Sequence, residues 1–412
     1  MRWVVVVLLV LAGCGADETA RPPEGSTTVA PPSEAGPGLL EVPDPLPDGP
    51  PGTVVEERVV ATIDAGGAVD VHQVLYLSTD RFGAPTAVSG LVLVPVEAPE
   101  PPGGRAVVAW GHGTVGLTDC DAPSGHPDAG ASLLDVGMGP ILAAGHVVAA
   151  SDYPGLGTPG VHPYLDGVGE GRAVLDSIRA ARTLGAAGPA AAVVGFSQGS
   201  QASIFAGAEQ PAYAPEVDLR GIVPIGVPSR FGLAFGAADM PVVQGYLGSV
   251  LAGILAARPD LDRSAILTEE GAAAQDAFAA EADLPGGACT PPDLDPDRHL
   301  GADPMTVPAW RAALAENDPG QRPVAAPVLV VQSEGDEQAL AFLADQVCRD
   351  LEAGGTDVRM WRYDDEGHAA TVTVSAADRA TWVLDRLAGR PVTDAVAFTG
   401  ERPEVLPTCP TG

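Results

Sequence analysis

The chain has 412 residues, and 46% of them are apolar, which is typical of a globular protein and not of a disordered chain. Its formal net charge of −32 repels nucleic acid and anionic lipid headgroups, and this argues against nucleic-acid binding. All 22 basic residues are arginine, which excludes lysine nucleophiles, Schiff-base chemistry, PLP attachment and the lysine of a phosphate-binding P-loop.

The first residues have the pattern of an export signal. Arg2 precedes an apolar run over residues 3–11, which is too short to span a membrane. The run ends in LAGC at residues 11–14, which resembles the lipobox of bacterial lipoproteins, where the cysteine is diacylated and becomes the N-terminus. We predict a signal peptide over residues 1–13 and a lipid anchor on Cys14. An ordinary signal peptide with an incidental cysteine is the alternative.

Residues 14–38 are rich in Pro, Gly, Ser, Thr and Glu and nearly lack large apolar side chains. Such a segment cannot bury enough surface to fold, so we predict a flexible tether that joins the lipid anchor to a folded domain over residues 39–412.

Four cysteines remain in the folded part: Cys120, Cys289, Cys348 and Cys409. An even number in an exported chain predicts two disulfides with three possible connectivities. Free buried thiols are the alternative.

The folded part opens with strand-like runs at 54–63, 71–77 and 87–96, rich in β-branched residues. Strands and helices then alternate, which predicts a mainly parallel sheet with helices on both faces. The further predicted strands are 106–110, 147–150, 191–194, 222–227, 327–331 and 358–363; the helices are 167–184, 198–208, 338–351 and 376–387, before an irregular tail. In the helix 167–184, the periodicity places Arg172, Asp176 and Arg179 on the outer face.

The alternation stops over residues 228–317, which we predict to be a helical insertion. Its two helical patterns cover 240–257 and 267–280, and a loop follows them. The first helix is apolar enough to suggest a membrane span, but Gln244 and the glycines argue against that. It could instead line an acyl tunnel, form part of a lid, or belong to the packed core of the insertion.

The sequence AVVGFSQGS at 192–200 is a short apolar strand, a Gly-x-Ser-x-Gly turn and the start of a helix. A serine hydroxyl is a poor nucleophile unless a neighbouring base removes its proton. The strand–turn–helix context exposes such a serine on a strained elbow, so Ser197 is the predicted nucleophile. A serine that merely occupies a glycine-rich turn is the alternative.

The base and the acid should follow the nucleophile in the order acid, then histidine. His299 and His368 are the histidines after residue 197, and His368, in a turn after a strand, is the predicted base. Asp336 follows a buried strand at its carboxyl end and is the predicted acid. Glu334 and Asp364 are the rival carboxylates.

The developing oxyanion needs two N–H donors that are already in place. We predict that one is the backbone N–H of Gln198. The other should come from the turn GHGT at 111–114, from Gly113 or Thr114. In the same turn, His112 is predicted to be structural.

The segment that begins at this turn contains several side chains of the kinds that bind metal ions. Its spacings match no zinc signature, so no metal and no cofactor are predicted. The candidate ligands are His112, Asp119, Cys120, Asp121 and His126.

These motifs together resemble the bacterial branch of the secretory lipase family, the yeast lipase A group of the α/β-hydrolases. The matching stretches are PDPLPDGPPGTVV at 43–55, AWGHGTVGLTDCDAPS at 109–124, SDYPGLG at 151–157, GFSQGS at 195–200, EGD at 334–336 and EGH at 366–368.

The resemblance implies an α/β-hydrolase fold, hydrolysis of carboxylic esters, commonly acylglycerols, and a helical lid inserted before the acid-bearing strand. It also implies the pairs Cys120–Cys289 and Cys348–Cys409. The lipid anchor and the tether are not part of the family pattern.

The predicted function is therefore that of an exported serine ester hydrolase of the lipase or esterase type. Its partners would be an ester substrate and, through Cys14, a membrane. A peptidase or acyltransferase on the same fold is one alternative. A catalytically inactive envelope lipoprotein that binds apolar ligands is the other.

Overall fold

The computed structural model describes most of the chain beyond the predicted tether. The described residues are 38–126, 128–233, 241–282, 295–393, 398–399 and 402–410. The predicted signal peptide, Cys14 and nearly all of the tether lie outside them. In these ranges, no helix is long and apolar enough to cross a membrane.

The described strands form one sheet in the order β1-β2-β3-β5-β4-β6-β7-β8-β9-β10. The strands β5, β4, β6, β7, β8 and β9 are parallel neighbours, whereas β1, β2, β3 and β10 pair antiparallel with theirs. Their bounds are β1 Val54–Asp64, β2 Ala68–Thr79, β3 Pro85–Pro95, β4 Val107–Gly111, β5 Val147–Ser151, β6 Ala190–Phe196, β7 Asp218–Ile225, β8 Val328–Ser333, β9 Val358–Tyr363 and β10 Glu404–Leu406.

The helices of the described chain alternate with the central strands and also fill the segment between β7 and β8. They are α1 Ala129–Leu133, α2 Gly139–Ala143, α3 Gly167–Leu184, α4 Gln198–Tyr213, α5 Pro241–Ala257, α6 Glu269–Ala282, α7 Pro296–His299, α8 Pro308–Glu316, α9 Ala341–Ala353, α10 His368–Val374 and α11 Ala376–Leu387. The long helix α3 begins where the Asp166 side chain accepts the Gly169 N–H, and Gly185 follows its last residue.

Both faces of the sheet are buried, as the sequence predicts for its parallel part. In β4, Val107 packs in the cluster that contains Val174 of α3. Its neighbour Val108 points the other way, into the cluster that contains Trp382 of α11. Successive side chains of a strand point to opposite faces, so α3 and α11 cover opposite sides. The predicted layered architecture is confirmed.

The helices α5, α6 and α8 pack a third apolar cluster against loops that follow the central strands. Tyr164, in the loop before α3, belongs to this cluster, and a Cβ added at Gly253 would lie 2.5 Å from the Tyr164 carbonyl oxygen. The Tyr246 hydroxyl of α5 donates to Gln338 Oε1 at 3.0 Å, which joins the segment to the loop after β8. The domain boundaries themselves stay predictions.

The tail differs from the prediction, because its described part is not wholly irregular. Residues 404–406 form β10, which pairs with β9. A disulfide joins Cys348 in α9 to Cys409, and it holds the tail beside the sheet. This is one of the two pairs that the family resemblance implies. Cys120 is also disulfide-bonded, and Cys289 lies outside the described residues.

The outer face of α3 was predicted wrongly at one position. Asp176 is 0% exposed, because its carboxylate accepts hydrogen bonds from Ser78, Tyr213 and Arg179 that replace the water it would otherwise bind.

Candidate active site

Ser197 lies on a strained turn between β6 and α4. Its φ of 53° and ψ of −116° are unfavourable for a residue with a side chain and cost on the order of 1–3 kcal/mol. The flanking glycines allow the backbone segments to pass closely. A Cβ added at Gly195 would lie 1.9 Å from the Gly199 carbonyl oxygen, and one added at Gly199 would lie 2.0 Å from that of Gly111. The turn therefore has the geometry of the predicted elbow.

His368 and Asp336 form a buried hydrogen-bonded pair. The Nδ1 atom of His368 lies 2.8 Å from Oδ2 and 2.9 Å from Oδ1 of Asp336. The carboxylate also accepts the N–H groups of Gln338 and Ala339 at 2.9 and 2.7 Å. Because a carboxylate can only accept, it places the imidazole proton on Nδ1 and leaves the Nε2 lone pair to act as a base.

The three predicted residues follow the carboxyl ends of β6, β8 and β9 and lie around the carboxyl end of β7. The Ser197 N–H donates to the last carbonyl of β7 at 2.9 Å. The next residue, Gly226, lies against the pair: a Cβ there would be 2.9 Å from His368 Cε1 and 3.2 Å from Asp336 Oδ2. Phe196, directly before the serine, has its ring centroid 4.7 Å from that of His368.

The rival carboxylates and the rival histidine are not part of the His368–Asp336 pair. Glu334 pairs with Arg362 at 2.7 Å, and Asp364 is exposed. His299 ends the short helix α7, where its Nδ1 accepts the Asp295 N–H at 3.2 Å. His368 differs from the prediction in one respect, because it begins a helix, α10, and does not lie in a turn.

The predicted oxyanion donors lie around the elbow. Gln198 is the first residue of α4, and the first N–H groups of a helix have no partner within it. A Cβ at Gly113 would lie 3.4 Å from the Ser197 Cβ, so that backbone runs beside the nucleophile. The Thr114 hydroxyl lies 2.7 Å from the Tyr164 hydroxyl. Both Gly113 and Thr114 remain candidates.

Side chains of the segment that begins at residue 111 form hydrogen bonds within the segment. Asp121 Oδ2 accepts the N–H groups of Leu117 and Thr118 at 3.1 and 3.2 Å. His112 Nδ1 lies 2.7 Å from the Gly113 carbonyl oxygen, and burial lowers its pKa. Within the described ranges, no group of three or more His, Cys, Asp or Glu side chains could hold a metal ion.

Sequence reasoning missed a buried polar cluster behind Gln198. Glu170 and His162 are both 0% exposed and lie within hydrogen-bonding distance of the Gln198 side chain. A signal for Glu170 was present, since Ala173 and Val174, three and four residues later, belong to the apolar face of α3. No sequence pattern indicated His162.

Comparison with known proteins supports the resemblance to the secretory lipase family. The family model described as secretory lipase matches residues 133–285. A Mycobacterium tuberculosis protein named probable inactive lipase MT1628 is 27% identical over 371 residues, which are 84% of this chain and 80% of that protein. Lipase 5 of Candida albicans is 30% identical over 229 residues, 51% of this chain and 48% of that protein. The predicted resemblance to the secretory lipase family is confirmed.

Solved structures share the fold of this chain. Candida antarctica lipase A in its closed state has a TM-score of 0.67 at 19% identity, over 84% of this chain and 86% of that one. The rice cell wall degrading esterase LipA of Xanthomonas oryzae has a TM-score of 0.62 at 17% identity, over 83% and 99%. The predicted α/β-hydrolase fold is confirmed, and the matches together support a hydrolase of the lipase or esterase kind.

Proposed function

We propose that this protein is an exported serine hydrolase of carboxylic esters, acting on acylglycerols or related esters through Ser197, His368 and Asp336. The observation that carries the proposal is the buried His368–Asp336 pair beside a serine held at φ 53°. Strain of this kind persists only where the surrounding structure enforces it, and it is common at active sites.

In the first half of the reaction, the Ser197 Oγ attacks the ester carbonyl carbon while its proton passes to His368 Nε2. The carbonyl π electrons move onto oxygen, where the N–H of Gln198 and the donor at Gly113 or Thr114 stabilise the negative charge. When the intermediate collapses, His368 returns the proton to the leaving alkoxide. The products are an alcohol and an acyl-serine.

In the second half, His368 removes a proton from water, and the resulting hydroxide attacks the acyl carbon. The carbon–oxygen bond to Ser197 breaks, and His368 returns the proton to the serine. Asp336 stays ionised throughout and stabilises the imidazolium that forms twice. No step requires a cofactor.

Two other functions deserve a test. A peptidase or acyltransferase could use the same residues, because the fold does not determine the leaving group or the acceptor. An inactive, ligand-binding protein is the second, and the name of the Mycobacterium tuberculosis relative, probable inactive lipase, favours it. The strained Ser197 and the buried acid–base pair support catalysis in this chain.

The proposal is tested by hydrolysis of p-nitrophenyl esters of increasing chain length, beside a peptide anilide, and by labelling with a fluorophosphonate. We expect ester hydrolysis and labelling in the wild type. Ser197→Ala should abolish the label and lower kcat by about 10⁴-fold or more. Ser203→Ala is the matched control on the same helix, where the hydroxyl donates to the Ser200 carbonyl. Cleavage of the anilide alone would reject the ester hydrolase.

Export and anchoring are part of the same proposal. The LAGC sequence at residues 11–14 and the Pro- and Gly-rich segment after it support them. The relatives support export only; among them is a Malassezia furfur protein named secreted triacylglycerol lipase LIP4, 31% identical over 138 residues. Expression in a bacterium that processes lipoproteins should place the protein in the membrane fraction. Cys14→Ser should release it, and an unchanged distribution would exclude the anchor.

A further inference from the structure

The side chain of Gln198 is held at two points behind the nucleophile. Its Nε2 lies 2.8 Å from Glu170 Oε1 and 2.6 Å from His162 Nε2. His162 Nδ1 lies 2.7 Å from the Pro154 carbonyl oxygen, which can only accept, so Nδ1 carries the proton and Nε2 accepts. Both N–H bonds of the Gln198 amide are therefore used, one toward each partner.

Burial disfavours the charged forms of both ionisable groups in this cluster. Burial lowers the pKa of His162 to about 3 and raises the pKa of the Glu170 carboxyl well above its usual value. The neighbouring Asp166 raises the pKa of Glu170 further. Because His162 is uncharged at neutral pH, its 3.5 Å contact from Nε2 to Glu170 Oε1 is not an ion pair.

Glu170 also holds the turn that leads to the other proposed oxyanion donor. Its Oε1 accepts the Leu165 N–H at 2.9 Å, and Leu165 has an unfavourable φ of 61°. The preceding residue, Tyr164, places its hydroxyl 2.7 Å from that of Thr114. One buried oxygen atom therefore connects to Gln198 on one side and, through this turn, to Thr114 on the other.

We propose that Glu170 is a positioning residue for the oxyanion-binding backbone, acting through the Gln198 side chain and through the Leu165–Tyr164 turn. The inference rests on the proposed ester hydrolase. A donor must lie 2.7–3.1 Å from the oxyanion, and a misplacement of about 1 Å can cost about 100-fold in rate. Glu170 touches neither the substrate nor the oxyanion.

A conservative variant separates this role from simple packing. The hydrogen bonds of Glu170 described above all use Oε1, and Oε2 has no partner among the described residues. Glu170→Gln keeps an acceptor oxygen at the same place, whereas Glu170→Leu keeps the volume and removes the acceptor. Asp176→Asn is the matched control, because Asp176 is a buried carboxyl on the same helix whose partners lie away from the elbow.

Wild-type turnover of p-nitrophenyl butyrate, and its loss in Ser197→Ala, first test the proposed function separately. The experiment then measures kcat and KM with this substrate, and the melting temperature, for each variant. We expect Glu170→Leu to lower kcat about 10- to 100-fold, with KM changed less than about threefold. Glu170→Gln should restore kcat to within about threefold, and Asp176→Asn should keep the wild-type kcat. A folded Glu170→Leu enzyme with wild-type kcat would overturn the proposal.

A second variant covers the case in which Glu170→Leu does not fold. Gln198→Leu keeps the backbone N–H and removes only the anchored amide, so it should lose kcat to a similar degree at unchanged KM. Wild-type kcat in folded Gln198→Leu would overturn the proposal as well. Where both single variants fold, the double variant should be no slower than Glu170→Leu alone, because that variant already removes the connection to Gln198. Multiplicative losses would contradict that connection.

Discussion

His368 Nδ1 lies 2.8 Å from Asp336 Oδ2, and both side chains are almost fully buried, at 4% and 2% exposure. The carboxylate fixes the imidazole tautomer and its orientation, while the N–H groups of Gln338 and Ala339 fix the carboxylate. The orientation of the proposed base is therefore fixed by a buried carboxylate that two backbone N–H groups hold in place.

This pair predicts a large effect of Asp336→Asn. An amide at this position can donate to Nδ1, which favours the tautomer with the proton on Nε2 and removes the base. We expect kcat to fall by about 10³- to 10⁴-fold, measured on p-nitrophenyl butyrate. Glu334→Gln is the control, since Glu334 pairs with Arg362 instead. Equal activity of the two variants would mean that Asp336 is not the acid.

The close backbone contacts at the elbow predict that Gly199→Ala destabilises the fold. The added Cβ would meet the Gly111 carbonyl oxygen at 2.0 Å, and neither backbone segment can move without disturbing the sheet. We expect a loss of about 3 kcal/mol or more in the free energy of unfolding, with loss of activity. Gly188→Ala, whose Cβ would lie 3.6 Å from the Arg105 carbonyl oxygen, should be neutral or slightly stabilising by denaturant unfolding.

The disulfide between Cys348 and Cys409 predicts a loss of stability when it is removed. It closes a loop with a sequence separation of 61 residues, for which the loss of chain entropy in the unfolded state is worth about 4 kcal/mol. We expect the double alanine variant to melt at a lower temperature and to keep its kcat at 25 °C. An unchanged melting temperature would show that the cross-link adds no stability.

The second disulfide is predicted by the family resemblance to join Cys120 to Cys289. Mass spectrometry of a non-reduced digest should find the two peptides linked, beside the peptides of Cys348 and Cys409. Reduction should separate both pairs. A digest with Cys289 as a free thiol would reject the predicted connectivity.

The buried carboxyl of Asp176 predicts that the stability of the fold depends on pH in the acidic range. Burial raises the pKa of Asp176 to about 6, although hydrogen bonds from Ser78, Tyr213 and Arg179 lower it. The folded-state pKa of Asp176 lies above its unfolded value. Its contribution to the free energy of unfolding is therefore fully present below about pH 4 and is lost as the pH rises through about 6, because the buried carboxyl must then ionise. The stability cost of Asp176→Asn should therefore shrink by about 2 kcal/mol from pH 4 to pH 7. A cost that does not vary with pH would contradict the raised pKa.

Much of this fold could be predicted from the sequence, because local periodicity and turn residues determine it. The helix α3 has its predicted bounds, 167–184, since Asp166 and Gly185 mark its ends. The strand β9 is also as predicted, at 358–363. The strand β10 was missed because three residues carry no period, and a strand at an edge forms only where its partner already lies.

Only part of the candidate site could be predicted from the sequence. The Gly-x-Ser-x-Gly turn predicts the elbow because a strand, a turn and a helix are contiguous in the chain. The cluster around Glu170 could not be predicted, because His162 and Gln198 come from separate segments that meet only in the folded protein. Asp176 was misplaced for a similar reason, since Ser78 and Tyr213, two of the partners that allow its burial, lie on other elements.

The hydrogen bond from Tyr246 to Gln338 has a mechanical consequence. The Gln338 N–H donates to Asp336 Oδ1. Two hydrogen bonds that meet at Gln338 therefore connect helix α5 to the proposed acid. Displacing this helix to admit a bulky acyl chain would break the first bond and leave the second without its outer support. Entry of the substrate and alignment of the His368 imidazole would then be coupled. The Asp336 carboxylate would be held less firmly when a long-chain ester binds than when a short-chain ester binds.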